Sequence, residues 1–343
     1  MLDESSSTNK KIQGSAEDLD ELYDNENEIS ITTQGEEIIT QVPDLGLMQD
    51  SFGNYRYYGL NPNNYVTFNG EDAGWRIIGV FNVDDGTGKI EKRFKLIRTN
   101  AIGEYAYDSK GSSVHGSSDW TDSRTMIMLN PPDETSSLIA NYNSIYTLTP
   151  GLYWNSGSGN CYGGSAQVDS TISCDFSSIG LTTNGKQKIG KAKYYLGGYY
   201  ETSGLYADDF YNYKRTGNSY LGNPTKWTGY VGIIYPSDYA YASDLSVCTQ
   251  DMYNYNDDTI NCTGTNWIFQ GNVVSGNSSK VSIWTLSPGL SAGFRVFEVS
   301  NTGYVYDGVA FFSDGIRPVV YLKSTVSIVS GTVTLNNPYI LSD

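Results

Sequence analysis

The sequence has almost no histidine and no long apolar segment. His115 is the only histidine among 343 residues, and no Gly-x-Ser-x-Gly motif accompanies it, so we expect a loop residue there rather than a catalytic one. No run approaches the roughly 18 consecutive apolar residues of a membrane-spanning helix. The first residues are acidic and polar, unlike a secretory signal. We therefore expect no direct membrane insertion, and any signal or anchor to lie outside this chain.

Basic residues are also scarce relative to acidic ones. The chain has 38 Asp and Glu against 22 Lys and Arg, a net charge of −16. Residues 1–50 carry 13 of the acids and 2 of the bases, so most of the charge excess is local. Binding to nucleic acid requires a basic face to meet the phosphates, and the sequence shows none. We expect no nucleic-acid partner.

Cysteine occurs four times, in two local pairs: Cys161 with Cys174, and Cys248 with Cys262. Twelve and thirteen residues separate the partners, and an even count in short closed loops predicts two disulfides. The alternatives are free thiols or a zinc site, but the sequence contains no Cys-x-x-Cys motif. Each disulfide would stabilise the fold by about 3 kcal/mol. Disulfides also predict an oxidising, extracellular environment.

The composition divides the chain into two parts. Residues 1–53 are acidic and poor in large apolar side chains, which predicts a largely disordered tail or stalk. Within them, residues 29–33 and 38–40 alternate weakly, and edge strands are the alternative interpretation there. Residues 54–343 have the pattern of a single domain with short strands and many turns.

The domain begins with a predicted three-stranded meander. The strand Tyr65–Phe68 meets the hairpin signal Asn-Gly, and strands over 75–80 and 94–98 follow. The segment 84–88, Asp-Asp-Gly-Thr-Gly, predicts the second turn. It also resembles half of a calcium loop, but the further oxygen ligands and the closing Glu are missing. We therefore favour a plain hairpin turn.

Two helices and two long loops are predicted in the middle of the chain. The first helix covers 121–130 and stops at two prolines, and the second covers 185–196, with four lysines forming a solvated face. Residues 140–180 and 199–226 are polar and rich in Tyr, Asn, Ser and Gly. Loops of that length are functional or cross-linked in ordinary domains, and the cysteine pairs suit the second role.

The end of the chain contains its most informative segment, residues 284–323. Two apolar strands bracket a stretch of small, aromatic and amide side chains. Within it, residues 294–299 predict a strand, 301–303 a turn and 304–306 the return strand of a hairpin. A segment of small, aromatic and amide side chains held between two rigid strands is typical of a binding surface on a scaffold.

Several motifs of this segment carry a family resemblance. Trp-Thr-Leu-Ser-Pro at 284–288, Val-Phe-Glu-Val at 296–299 and Gly-Ile-Arg-Pro-Val-Val-Tyr-Leu-Lys-Ser at 315–324 resemble the core of C-type-lectin-like bacterial surface domains. Those domains share a fold with formylglycine-generating enzymes and with the variable proteins of diversity-generating retroelements. Upstream motifs at 61–70 and 75–80 fit the same group, which includes pilin-like surface proteins of gut Firmicutes. The resemblance extends from about residue 54 to the end.

The resemblance implies a fold and a role. We expect an α+β domain with a C-type-lectin-like mixed fold, made of short antiparallel strands, two helices and long disulfide-stapled loops. The implied role is a non-enzymatic, extracellular ligand-binding protein, an adhesin or receptor displayed on a bacterial surface or pilus. One form of that role is the hypervariable target of a diversity-generating retroelement. The ligand would be a protein or glycan on another cell, a phage or a host surface.

The resemblance also implies that residues between 284 and 317 line one exposed face. The ligand-binding candidates on that face are Leu290, Ser291, Phe294, Glu298, Asn301, Tyr304, Tyr306, Asp307, Phe311, Phe312 and Asp314. Strand alternation favours inward valines and exposed Arg295, Glu298 and Tyr304. The Phe311–Phe312 pair is either a binding hot spot or a plug into the core. Arg317 is expected to be structural, paired to a carboxylate or capping carbonyl groups.

No pattern in the sequence supports catalysis or a bound cofactor. Formylglycine-generating enzymes bind copper through a late cysteine pair, and this chain has no cysteine after Cys262. The Glu-Pro-Asn or Gln-Pro-Asp triplet of calcium-dependent sugar binding is also missing. We expect no catalytic residue, metal or cofactor. Two alternatives remain, a structural pilin or surface-layer subunit and a carbohydrate-active enzyme. The 29 tyrosines suit recognition, although core packing is the competing explanation.

Overall fold

The computed structural model describes residues 14–18, 28–108, 124–134, 150–163, 171–220, 223–331 and 334–342. These residues form a mixed structure with twenty strands, mostly antiparallel, and five short α-helices. The predicted α+β class is confirmed in this coarse form.

The elements are numbered in chain order. The first ten strands are β1 (Ile29–Thr32), β2 (Ile38–Val42), β3 (Leu47–Gln49), β4 (Tyr55–Tyr57), β5 (Tyr65–Phe68), β6 (Glu71–Asp84), β7 (Ile90–Arg98), β8 (Glu104–Ala106), β9 (Ser158–Tyr162) and β10 (Thr171–Asp175). The other ten are β11 (Ala192–Tyr195), β12 (Lys226–Gly229), β13 (Val231–Gly232), β14 (Ile283–Gly289), β15 (Arg295–Val299), β16 (Val305–Val309), β17 (Ser313–Gly315), β18 (Val319–Tyr321), β19 (Ile328–Ser330) and β20 (Tyr339–Leu341). The helices are α1 (Arg124–Leu129), α2 (Thr183–Lys188), α3 (Ala207–Tyr213), α4 (Pro236–Ala240) and α5 (Trp267–Gln270).

The largest sheet has eleven strands and is built around the long strand β6. One side of β6 pairs antiparallel with β5 and β4, and the other side pairs with β7. From β7 the sheet continues through β18 to β13, and from β5 it continues through a parallel pair with β20 to β19. The chain therefore returns from its end to cover strands near its beginning.

The predicted meander of β5, β6 and β7 is confirmed. Asn69 and Gly70 have φ angles of 61° and 80°, the positive values that a two-residue hairpin turn needs at both central positions. At the second turn, Asp84 Oδ1 accepts hydrogen bonds from the amides of Gly86 at 2.8 Å and Gly88 at 3.1 Å. The Asp-Asp-Gly segment thus closes a hairpin by capping its own backbone.

The prediction of a tail over residues 1–53 is wrong for residues 28–53. Strands β1 to β3 pair in succession and join the main sheet through β4. Ile39 and Met48 are fully buried, and buried Glu37 accepts a hydrogen bond from Tyr241 Oη at 2.7 Å. These contacts lie far apart along the chain, so the local acidic composition gave no sign of them. Residues 1–13 and 19–27 lie outside the described residues.

The helix predictions are confirmed in part. The first helix runs over Arg124–Leu129, and its predicted start at 121–123 lies outside the described residues. The second, α2, ends at Lys188, so the prediction is wrong for 192–196. Residues 192–195 instead form strand β11, which pairs with β12. The side chains of β11 alternate between buried and half-buried positions, as those of a strand with one face on the core do. The prediction of a structureless 199–226 loop is also wrong, since α3 lies within it.

Both predicted disulfides are present. Cys161 pairs with Cys174 across the β9–β10 hairpin, and Cys248 pairs with Cys262. They indicate an oxidising environment. None of the described helices is long and apolar enough to span a membrane.

The second sheet has five strands in the order β16-β15-β14-β17-β8. Helix α4 follows strand β13 of the main sheet in the chain, and it contacts both β14 and β15 of the second sheet. A short segment after β17 leads back to β18 in the main sheet. Arg317 fixes that segment by donating to the carbonyls of Arg98 at 3.1 Å and Ile268 at 2.6 Å, so the expected capping of carbonyls is confirmed.

Candidate ligand-binding face

The five-stranded sheet contains most of the segment 284–323 that the sequence singled out, whereas its last strand, β18, belongs to the main sheet. Strands β15 and β16 form the predicted hairpin, with Ser300 and Tyr304 closing its turn by a backbone hydrogen bond of 2.8 Å. Gly303 has a φ of 105°, which favours glycine in the turn. Its carbonyl accepts a hydrogen bond of 2.7 Å from the buried Tyr239 Oη. The hairpin tip is thereby anchored to the interior of the protein.

The structure divides the eleven candidate residues by exposure. Ser291, Asn301 and Phe312 are exposed, and the half-buried candidates are Phe294, Tyr304, Tyr306, Asp307, Phe311 and Asp314. Leu290 and Glu298 are buried, with 1% and 3% of their surface exposed, so their prediction as surface contacts is wrong. Phe312 is 46% exposed and its ring contacts that of Phe311, with centroids 5.0 Å apart. It is therefore not a plug into the core.

Strand alternation places the candidates on two opposite faces. Glu298 and Tyr306 lie opposite each other in register and so share one face, and Phe297 and Asp307 share the other. Phe297 packs edge-on against Phe210 of α3 at 4.8 Å. Asp307 Oδ2 accepts a 2.6 Å hydrogen bond from Ser291. Ser291 and Asp307 therefore do not join the tyrosines in one surface.

Two carboxyl groups meet on the Tyr306 face. Glu298 is hydrogen-bonded to Asp314, and it also accepts from the hydroxyls of Tyr306 and Ser282. Gly308 lies directly beneath this carboxylate, because a β-carbon at 308 would come within 1.9 Å of Glu298 Oε2. The backbone at Gly308 thus provides the space in which the carboxylate lies.

Burial determines how the two acids ionise. Burial, and then repulsion from Glu298, raises the pKa of Asp314 to about 9. Burial likewise raises the pKa of Glu298, although hydrogen bonds from its neighbours oppose the effect. At neutral pH Asp314 therefore keeps its proton and donates it to Glu298. Burial and the contact with Glu298 also raise the pKa of Tyr306 above its ordinary value.

Aromatic side chains surround this pair on the outside. Tyr304 contacts Tyr306, with ring centroids 5.1 Å apart, and Tyr253 contacts Tyr304 at 6.0 Å. Tyr253 is 42% exposed and belongs to a 3₁₀ turn inside the loop that Cys248 and Cys262 close. Sequence analysis missed Tyr253, because nothing local links that loop to a hairpin 50 residues later. We name Tyr253, Tyr304 and Tyr306 the aromatic face, whereas Phe311 and Phe312 follow the other end of β16.

The chemistry available at this face is limited. Glycosidases hold their two carboxyl groups roughly 5 to 9 Å apart around the substrate, whereas Glu298 and Asp314 are hydrogen-bonded to each other. No group of three potential metal ligands occurs among the described residues, and His115 lies outside them. What the face offers is aromatic surface beside a hydrogen-bonded pair of carboxyl groups. No protein-family model, curated protein or solved structure matches this chain.

Proposed function

We propose that this chain is a non-enzymatic, extracellular ligand-binding protein whose aromatic face contacts a protein or glycan on another surface. The observation that supports this most directly is the cluster of tyrosine rings at the tip of the β15–β16 hairpin. Tyr253 is 42% exposed, Tyr304 and Tyr306 are half-buried, and the ring of Tyr304 contacts the other two. Exposed aromatic clusters of this kind are characteristic of recognition surfaces.

The rigidity of the support adds to the argument. Trp284 is fully buried and pairs in register with Glu298 on the neighbouring strand, and its Nε1 donates to the carbonyl of Tyr105 at 3.0 Å. The hairpin tip is held by Tyr239, and the loop that carries Tyr253 is closed by a disulfide. Side chains held in place lose little conformational entropy when a ligand binds, so the face is pre-organised.

The finer parts of the proposal rest on the sequence motifs. We infer that the α+β structure belongs to the C-type-lectin-like group and that the protein is displayed on a bacterial surface or pilus. The disulfides support an extracellular location. Variation of residues 284–323 by a diversity-generating retroelement is part of the same proposal. A reverse transcriptase gene and a template repeat of this segment at the locus would support it, and the absence of both would contradict it.

Binding experiments with matched tyrosine variants test the main proposal. The fluorescently labelled chain would be applied to a glycan array and to panels of bacterial and epithelial cells. The double change Tyr253→Ala and Tyr304→Ala should reduce binding at least tenfold wherever the native chain binds. Tyr200→Ala is the matched control, since Tyr200 is 61% exposed and lies outside the aromatic face. Equal binding by the double variant and the native chain would refute the assignment of this face.

A second candidate function, a subunit of a pilus or surface layer, has one observation in its favour. Strand β1 lies at the end of the main sheet, where Ile29 is 50% exposed, and Ile38 of the neighbouring strand is 62% exposed. An exposed apolar sheet edge is suited to pairing with a strand of another molecule. Light scattering after size-exclusion chromatography at increasing concentration tests this candidate. Association that Ile29→Lys abolishes would favour it over a monomeric receptor.

A further inference from the structure

A small cavity lies where strands β6, β7 and β11 approach helices α3 and α4. The cavity volume, counted as the space that the centre of a water-sized sphere can reach, is about 20 Å³. A cavity of this size is enough for one small polyatomic ion or very few water molecules. Asn82 and Arg215 on its lining are exposed, so the cavity reaches the surface. The aromatic face contributes no residue to it.

The lining is basic although the protein as a whole is acidic. Four lining side chains are cationic, and Asp84 is the one carboxylate among them: the cations are Lys95, Lys193, Lys214 and Arg215. Two of the four are already paired, since Lys193 contacts Asp84 and Lys95 contacts the buried Asp238. Two cations, Lys214 and Arg215, remain without an ion pair among the described residues.

Lys214 forms the inner wall and is 3% exposed. Its Nζ donates to Ser237 Oγ at 2.9 Å and lies 3.8 Å from the centre of the Tyr235 ring. Burial, reinforced by Arg215 and Lys95, lowers the pKa of Lys214 well below its ordinary value. An ammonium group has three donors and is costly to bury without an anion. Asp238 partly opposes this shift, but its carboxylate is already paired with Lys95 and Arg56, so Lys214 has no anion of its own among the described residues.

Arg215 forms the outer wall. Its guanidinium lies over the rings of Tyr211 at 3.6 Å and Tyr195 at 4.6 Å, and its Nη1 donates to the Tyr211 carbonyl at 2.9 Å. These contacts hold an exposed arginine in one position at the rim. A guanidinium fixed in this way keeps its other N–H groups for a partner, and its planar fork suits an oxyanion.

We propose that this cavity is a binding site for one oxyanion of the sulfate or phosphate class, held between Lys214 inside and Arg215 at the rim. The anion would accept hydrogen bonds from both side chains and neutralise the excess positive charge of the lining. The oxyanion has two possible sources, a free ion or a sulfate or phosphate group on a larger molecule. The second has room nearby, because Lys193 also lines a wider cleft of about 460 Å³.

Titration calorimetry on the full chain tests the site. Sodium sulfate and sodium phosphate would be titrated at pH 7 and constant ionic strength, with sodium chloride making up the difference. We expect saturable binding that Lys214→Met and Arg215→Gln each weaken at least tenfold. Lys323→Met is the matched control, since Lys323 is exposed and does not line the cavity, and it should change the affinity less than twofold.

Two further results bear on the proposal. Arg215 is exposed, so Arg215→Gln should leave the fold intact. If the Lys214→Met variant does not fold, the Arg215→Gln variant still tests the site. Absence of saturable binding by either ion and by glucose 6-sulfate, or equal affinity in all variants, would overturn the site. Glucose 6-sulfate binding ten times more tightly than sulfate would support the site and identify a group on a larger molecule as its ligand. Tighter binding of the inorganic ion would support the site with a free ion as its ligand.

Discussion

The carboxylate of Glu298 occupies the space that any side chain at Gly308 would need. An added β-carbon at 308 would lie 1.9 Å from Glu298 Oε2 and 2.7 Å from its carboxyl carbon. Gly308 is paired with Val296, two residues before Glu298 on the neighbouring strand, so the contact is diagonal within the sheet. The acid pair thus depends on a residue that has no side chain.

The first prediction concerns this contact. Gly308→Ala should destabilise the protein by about 1–3 kcal/mol, because the buried glutamate must leave its position in a packed interior. Urea unfolding monitored by tryptophan fluorescence measures the change. Gly157→Ala is the matched control, because its added methyl group would meet no atom closer than 3.6 Å. Equal stability of the two alanine variants would contradict the packing at Gly308.

The second prediction concerns pH. The pKa of Asp314 is raised to about 9, so the folded protein retains a proton that the unfolded chain releases above about pH 4. Stability contributed by this proton is complete below pH 4 and is lost as the pH rises towards 9. Asp314→Asn keeps a neutral donor to Glu298 at every pH. It should therefore match the native chain near pH 5 and exceed its stability by about 2 kcal/mol at pH 8, a figure reduced for partial exposure.

Denaturant unfolding at several pH values measures this effect. The exposed Glu201 supplies the control Glu201→Gln, which should leave the pH dependence of the native chain unchanged. If the native chain and Asp314→Asn showed parallel pH profiles between 5 and 8, the proton on Asp314 would be disproved.

The sequence was informative where structure is local. The turn at Asn69 and Gly70, the terminal hairpin and the cysteine pairs were predicted because each depends on a few neighbouring residues. For residues 28–53 the alternative of edge strands, and not the favoured tail, describes β1 and β2, since long-range pairing outweighs an acidic composition. The prediction of a helix was wrong for residues 192–196 because the spacing of Ala192 and Leu196 fits a helix as well as a strand.

The candidate face was predicted in position but not in detail. Strand alternation predicted an exposed Glu298, yet hydrogen bonds from Tyr306, Ser282 and Asp314 allow it to be buried. Those partners come from three other segments of the chain, and Tyr253 comes from a fourth. A single sequence does not reveal which segments meet in space. The same reason hid the basic cavity, whose lining is drawn from several strands and helices.

The third prediction compares the two disulfides. Their loops have nearly equal sequence separations of 13 and 14, so removing either by paired Cys→Ala changes should cost about 3 kcal/mol. Only the Cys248–Cys262 loop carries Tyr253 to the aromatic face. Loss of that disulfide should therefore weaken ligand binding as well, whereas loss of Cys161–Cys174 should not. Thermal unfolding and the array assay measure the two effects, and equal binding losses would show that the loop has no special role.

The fourth prediction concerns Asp238, which is fully enclosed among cations. It pairs with Lys95 and, at 3.3 Å, with Arg56, and it accepts the amide of Tyr235 at 2.9 Å. Burial opposes its ionisation, but Lys95, Lys214 and Arg56 together hold the pKa of Asp238 below its ordinary value. A lowered carboxyl pKa contributes stability that is present above the unfolded value of about 4 and is lost as the pH falls below it.

Asp238→Asn should accordingly destabilise the protein by about 3–5 kcal/mol at pH 7, because the buried Lys95 loses its anion and Lys214 loses a neighbouring negative charge, although Arg56 keeps its pair with Asp50. The difference from the native chain should shrink below pH 4. Adding Lys95→Met to the variant removes one of the stranded charges and should restore part of the loss. The control is Glu134→Gln at the more exposed pair with Lys191, where the cost should stay below about 1 kcal/mol. Urea unfolding at pH 7 and pH 3.5 measures all four proteins. A loss at Asp238 no larger than at Glu134 would mean that the buried charges do not depend on this carboxylate.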